Sequence, residues 1–99
     1  MKRTKSMIYK PTEEARELFM YTDNNGDLWR KMGEAYAECL KKKIKKGNYN
    51  SDKAVDLLYR LTTAASDQYK REFGYSFSVQ DRFTAAVDLE KDLFETLTE

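Results

Sequence analysis

The sequence contains no histidine, and this absence removes the side chain most often used as a general base and as a metal ligand. It has a single cysteine, Cys39, which excludes an internal disulfide framework and is typical of a reducing compartment. No apolar run approaches the ~18–20 residues that a membrane span needs, so we expect no membrane partner. The basic N-terminus is not followed by an apolar segment, so we expect a cytoplasmic protein without a secretory signal.

Neither sign of charge dominates, because 18 lysines and arginines oppose 17 aspartates and glutamates for a net charge of +1. This balance argues against a disordered polyelectrolyte and against a generic nucleic-acid binder. The charges are unevenly distributed, however. Residues 1–10 carry four bases and no acid, residues 41–50 carry five lysines, and residues 76–99 carry six acids and two bases.

A long uninterrupted helical pattern covers residues 27–46. Its apolar positions recur every three or four residues: Leu28, Met32, Ala35, Tyr36, Cys39 and Leu40. Trp29, Gly33 and Ile44 widen this stripe to about half of the circumference, and a stripe of that width indicates several neighbours, so we place this helix centrally. On the stripe, Cys39 is expected to be a small core hydrophobe rather than a nucleophile.

Helix-capping residues and the spacing of apolar residues predict three further helices. Thr12 begins the first, Asn50 or Ser51 begins the third, Gly74 ends the third, and Ser78 begins the last. We therefore predict an all-α bundle of four helices near residues 12–22, 27–46, 52–73 and 78–97. Residues 11–99 form one helical domain, preceded by a flexible basic arm at residues 1–10. The residues expected to be largely buried are Leu40, Leu58, Leu61, Tyr69, Phe83 and Val87.

The turn between the first two helices allows two other interpretations. Asn25-Gly26 is a strong signal for a β-hairpin, although the residues after it read as helix. Asp23, Asn25 and Asp27 also match part of a calcium-binding loop, but the required glycine stands two residues too early. We favour a capped interhelical turn, and we predict no catalytic, metal-binding or cofactor-binding residue and no enzymatic activity.

The lysine run is the main functional feature of the sequence. Lys41, Lys42 and Lys45 lie away from the apolar stripe, and Tyr49 follows in the next turn, so these four residues are the predicted partner-binding site. The simpler interpretation is a solvated helix end whose lysines complement the helix dipole. The alternative function is that of an accessory nucleic-acid-binding protein that uses residues 2–10 and 41–46. Binding to phosphates should weaken steeply as salt is added, which would distinguish it from binding to a protein.

Several segments together resemble a group of small uncharacterised helical proteins encoded by bacteriophages and mobile elements of gut bacteria. The resemblance covers about residues 17–95 and is carried by these stretches: Leu18…Tyr21, Asn25-Gly26-Asp27-Leu28-Trp29-Arg30, Lys46-Gly47-Asn48-Tyr49-Asn50, Ala65…Tyr69…Glu72-Phe73, and Phe77 with Arg82-Phe83-Thr84-Ala85. This chain departs from the pattern at Asn50, usually an acid, and at Trp29, usually a tyrosine. The resemblance implies no activity. It implies a mobile-element origin, and small proteins of that origin often bind a host protein, including as inhibitors of host defence systems such as CRISPR. Together with the lysine run, this leads us to expect a non-enzymatic interaction protein whose partner is a host protein with an acidic surface.

Overall fold

The computed structural model describes residues 8–99, and all of its regular elements are helical, as predicted. Four helices follow one another: α1 (Glu13–Asp23), α2 (residues 26–46), α3 (Ser51–Phe73) and α4 (Val79–Thr98). Helix α2 has three parts: an α-helical turn (Gly26–Leu28), a π-helical turn (Trp29–Gly33) and a longer α-helix (Glu34–Lys46). No strand occurs within residues 8–99, so the hairpin interpretation of Asn25-Gly26 was wrong.

The helix ends lie where the sequence placed them because short polar side chains and glycines determine them locally. Thr12, Asn50 and Ser78 each accept the backbone N–H three residues later through a side-chain oxygen at 3.0 Å. These bonds satisfy N–H groups that would otherwise have no partner in the helix. Gly47 and Gly74 end α2 and α3 in the left-handed region, both with φ of 75°.

The turn between α1 and α2 is tied to α3. The Asn25 side chain accepts the Leu28 N–H at 3.2 Å and donates to the Gln68 side-chain oxygen at 2.9 Å. The indole N–H of Trp29 donates to the Thr22 carbonyl at 3.0 Å. Asn25, which belongs to both the hairpin signal and the partial calcium motif, therefore caps α2 and connects it to α3.

The core is built mainly from α1, α3 and α4. Its buried residues are Leu18, Leu28, Val55, Leu58, Leu61, Ala65, Phe77, Phe83, Ala85, Ala86 and Leu89. The predicted burial of Leu58, Leu61 and Phe83 is confirmed by this set, and Leu40 is also buried, at 4% exposure. Tyr69 and Val87 pack against this core with side chains that are partly buried.

The central helix is α3 and not α2, which corrects the sequence-based placement. Seven residues of α3 are buried, whereas Leu40 is the only buried residue of the Glu34–Lys46 segment. Small side chains in α3, such as Ala54 and Ala65, allow neighbours to approach it closely. The broad stripe of α2 is only partly covered, and Cys39 is exposed rather than part of the core.

The chain before α1 runs along α4. The Tyr9 hydroxyl donates to a carboxylate oxygen of Asp88 at 2.9 Å, and the Lys10 N–H donates to the Thr84 hydroxyl at 3.1 Å. The Lys91 ammonium lies 4.7 Å from the centre of the Tyr9 ring. Residues 8–10 of the predicted flexible arm are therefore held against α4, and residues 1–7 lie outside the described residues.

Alkaline pH should destabilise the fold through Tyr21. Its hydroxyl donates to Glu72 at 3.0 Å, and burial together with this bond raises the pKa of Tyr21 to about 12. The unfolded phenol loses its proton near pH 10, so the free energy of unfolding should fall as the pH rises from about 10 to 12. Because Tyr21 is partly exposed, we expect a loss of at most about 1 kcal/mol at pH 11.

Urea unfolding at pH 9 and pH 11 measures this loss. Tyr21→Phe should lose less stability over that interval than the parent chain, because it has no phenol proton to release. Tyr75→Phe is the matched control, since its hydroxyl has no hydrogen-bond partner within residues 8–99 and it should behave like the parent. If the parent and Tyr21→Phe lost equal stability between pH 9 and pH 11, the raised pKa of Tyr21 would not be the cause of the loss.

Candidate interaction surface

The last two turns of α2 present a dense patch of positive charge. We call the following residues the basic helix end: Lys41, Lys42, Lys43, Lys45 and Lys46. All five are exposed, and none forms an ion pair with a residue in the described part of the chain. The lysines lie where the helix dipole is negative, which stabilises them at that position. Charges held this way are available to an acidic surface in solution.

The basic helix end extends from a segment that contacts the core through few side chains. Leu40 is buried, and Tyr36 and Ile44 are half-buried on the same side. The opposite side of this segment faces solvent. The predicted outward orientation of Lys41, Lys42 and Lys45 agrees with their exposure, but their role in binding stays a prediction.

Tyr49, the fourth predicted partner-binding residue, has a different environment. Its hydroxyl donates to a carboxylate oxygen of Glu90, and its ring centre lies 5.0 Å from that of Phe94. Burial and the bond to Glu90 raise the pKa of Tyr49 well above its usual range. Tyr49 therefore fastens the turn after α2 to α4, so it positions the basic helix end and is only half-exposed itself.

A groove of about 610 Å³ lies between α2 and α3, next to the basic helix end. It is lined by Cys39, Leu40, Lys43, Asn50, Asp52, Lys53, Ala54, Asp56, Leu57 and Arg60. The leucines and the alanine provide an apolar floor, and both signs of charge occur around it. One Asp56 oxygen is buried without a hydrogen-bond partner in the described residues.

Sequence reasoning missed this groove. Cys39 and Leu57 stand eighteen positions apart and belong to helices whose relative placement the periodicity does not specify. The only signal in the sequence was the unusual width of the α2 stripe, which we interpreted as burial. In the structure, part of that stripe borders an open groove instead.

Residues 8–99 contain no cluster of potential metal ligands, because no group of three or more aspartate, glutamate or cysteine side chains is placed to hold a metal ion. In the partial calcium motif, Asn25 caps α2 and Asp27 pairs with Arg30. None of the helices in this part of the chain is both long and apolar enough to cross a membrane.

Comparison with protein-family models, with curated proteins and with solved structures found no match to this chain.

Proposed function

We propose that this protein is a non-enzymatic interaction module that binds an acidic surface of another protein through its basic helix end. The observation that carries the proposal is the set of exposed lysines at residues 41–46, which lack acidic partners in the described residues. Like charges held close together repel one another, so an acidic partner that neutralises them gains electrostatic free energy.

The groove beside the lysines supports a protein as the partner. Its apolar floor of Leu40, Ala54 and Leu57 can receive an apolar side chain, while the lysines attract acidic groups around it. An apolar centre with a charged rim is the usual anatomy of a protein interface. The bond between Tyr49 and Glu90 supports the same function, because it holds the lysines in a defined position relative to α4.

The resemblance to proteins of phages and mobile elements supports a bacterial host protein as the partner, in the host cytoplasm. Small proteins of that origin often act by binding and inhibiting a host protein. We therefore propose an anti-defence inhibitor as the specific form of the function, with a component of a host defence system such as CRISPR as its target.

Accessory nucleic-acid binding is the second candidate, since the same lysines could contact phosphates. The groove argues against it, because Asp52 and Asp56 bring negative charge close to the place where a phosphate chain would lie. Phosphate binding would also weaken steeply as salt is added, through the release of counterions. Binding to a protein depends less strongly on salt.

The triple variant Lys41→Glu, Lys42→Glu and Lys45→Glu tests the first candidate. We expect association with the partner to slow by about tenfold or more, because electrostatic steering is reversed. The partner is first captured from a bacterial host lysate on the immobilised parent protein and identified. Binding rates are then measured with the purified partner, and a 20-base-pair DNA duplex is titrated in parallel over a salt series.

The matched control is Lys10→Glu, Lys31→Glu and Lys70→Glu, which changes the net charge equally at three other exposed lysines. It should bind the partner nearly as well as the parent. Each glutamate at the end of α2 also costs about 0.3–1 kcal/mol of helix stability, so thermal unfolding is measured for both variants. A folded triple variant that binds the partner like the parent would refute the proposal, and tight, steeply salt-dependent DNA binding would favour the second candidate.

A further inference from the structure

Aromatic rings gather at the other end of α3, where the chain turns toward α4. Tyr69 is at the centre, and its ring centre lies 4.6 Å from that of Phe73, 4.8 Å from that of Phe77 and 5.0 Å from that of Tyr21. The Tyr75 ring in turn lies 4.9 Å from Phe77. These separations are those of favourable aromatic pairs. We call Tyr69, Phe73, Tyr75 and Phe77 the aromatic shelf.

The shelf is buried on one side and exposed on the other. Phe77 is 6% exposed and belongs to the core, whereas Phe73 is 63% exposed and Tyr75 is 45% exposed. Gly74 lies between the two exposed rings in the left-handed conformation that ends α3, with φ of 75°. The two rings are thus presented to solvent from a defined turn, and aromatic side chains lose little conformational entropy when they bind a partner.

Negative charge borders the shelf on one side. Glu13, Glu14 and Glu17 of α1 line a recess of about 510 Å³ together with three of the shelf residues. No lysine or arginine of residues 8–99 lines this recess. The three carboxylates form no ion pair or hydrogen bond within the described part of the chain.

We propose that the aromatic shelf and these glutamates form a second interaction surface, which takes an arginine- or lysine-bearing segment of a partner protein. A cation gains energy on the face of an exposed aromatic ring, and arginine does so most often. The carboxylates beside the rings complement the same charge. A planar guanidinium fits both features at once, because it can stack on Tyr75, which lines the recess, while it donates to one of the glutamates there.

This surface is distinct from the basic helix end. Helix α3 has 23 residues, and at 1.5 Å per residue it separates its two ends by about 33 Å. The aromatic shelf lies at its C-terminal end, while the basic helix end and the groove border its N-terminal end. The inference therefore does not depend on the proposed function, and the molecule can hold an acidic and a basic surface at the same time.

The test is an NMR titration of the full chain with a hexa-arginine peptide, observed at aromatic and backbone signals. We expect saturable shifts at Phe73, Tyr75 and the N-terminal turn of α1, and no such shifts with a hexaglutamate peptide. The double variant Phe73→Ala and Tyr75→Ala should bind the peptide about tenfold more weakly, as expected for two exposed cation–π contacts. Circular dichroism confirms that the variant remains helical.

A second variant keeps the rings and removes charge. Glu14→Gln with Glu17→Gln should weaken peptide binding about threefold, whereas Glu34→Gln with Glu38→Gln, which makes the same change on α2, should have little effect. Shifts confined to the acidic face of α4, or equal affinity of the aromatic double variant, would overturn the inference. It would also be overturned if the shelf signals move with protein concentration alone and sedimentation shows a dimer, because the shelf would then bind a second copy.

Discussion

Replacing Leu58 by alanine should lower the free energy of unfolding by about 2–5 kcal/mol, the usual cost of truncating a packed leucine. Leu58 lies in the N-terminal half of α3, is 0% exposed and belongs to the core cluster. A domain of this size has a total stability of roughly 5–15 kcal/mol, so this single change should remove a large part of it. Urea unfolding monitored by circular dichroism measures the loss.

The neighbouring residue Leu57 provides the matched control. It lines the groove between α2 and α3 and is only partly buried. Because Leu57→Ala removes the same atoms from a partly solvated position, it should cost clearly less than Leu58→Ala. A loss below about 0.5 kcal/mol for Leu58→Ala, the size of an ordinary surface substitution, would contradict the arrangement of the core around α3.

Replacing Gly33 by alanine should destabilise the protein. The same change in an exposed helix interior normally raises the free energy of unfolding by about 1 kcal/mol. A Cβ atom at this position would lie 2.1 Å from Cε3 of the Trp29 ring. The indole must therefore move, and it would lose the bond to the Thr22 carbonyl at 3.0 Å. Overpacking and the lost bond together predict a net cost of about 1–3 kcal/mol.

Thermal unfolding and the fluorescence of Trp29, the only tryptophan, report this change together. We expect a lower melting temperature and an emission maximum displaced toward that of a solvated indole. Gly26→Ala is the control at the start of the same helix, because the nearest atom to its new Cβ would be the flexible guanidinium nitrogen of Arg30 at 3.4 Å. If Gly33→Ala raised the melting temperature and left the emission unchanged, the contact with Trp29 would be refuted.

The near-zero net charge of the chain conceals the feature on which both binding proposals rest. The basic helix end lies beside the beginning of α3, and the glutamates of α1 lie beside its end. Opposite charges placed far apart on one rigid scaffold cancel in the total but act separately on partners, because charges separated by more than a Debye length of about 8–10 Å are largely screened. A net charge of +1 is therefore a poor guide to what such a molecule binds.

The sequence by itself determined the helical class, the number of helices and their ends. These properties are local: Thr12, Asn50 and Ser78 cap helices through atoms three residues away, and Gly47 and Gly74 end helices through their own backbone conformation. The exposure of Lys41, Lys42 and Lys45 is local too, because it follows from their position on the polar side of a regular helix. Periodicity also identified most of the buried side chains correctly, including Leu58 and Phe83.

Only the tertiary structure decided which helix is central and which apolar side chains remain uncovered. A periodic apolar stripe in the sequence indicates that one side of a helix is apolar, but it does not indicate how much of that side a neighbouring helix covers. Cys39 and Phe73 both lie on such stripes and are exposed, because α3 occupies the centre and its last turn projects beyond the core. The groove and the aromatic shelf exist for the same reason, since each joins residues from different helices whose packing depends on the shape of the whole core.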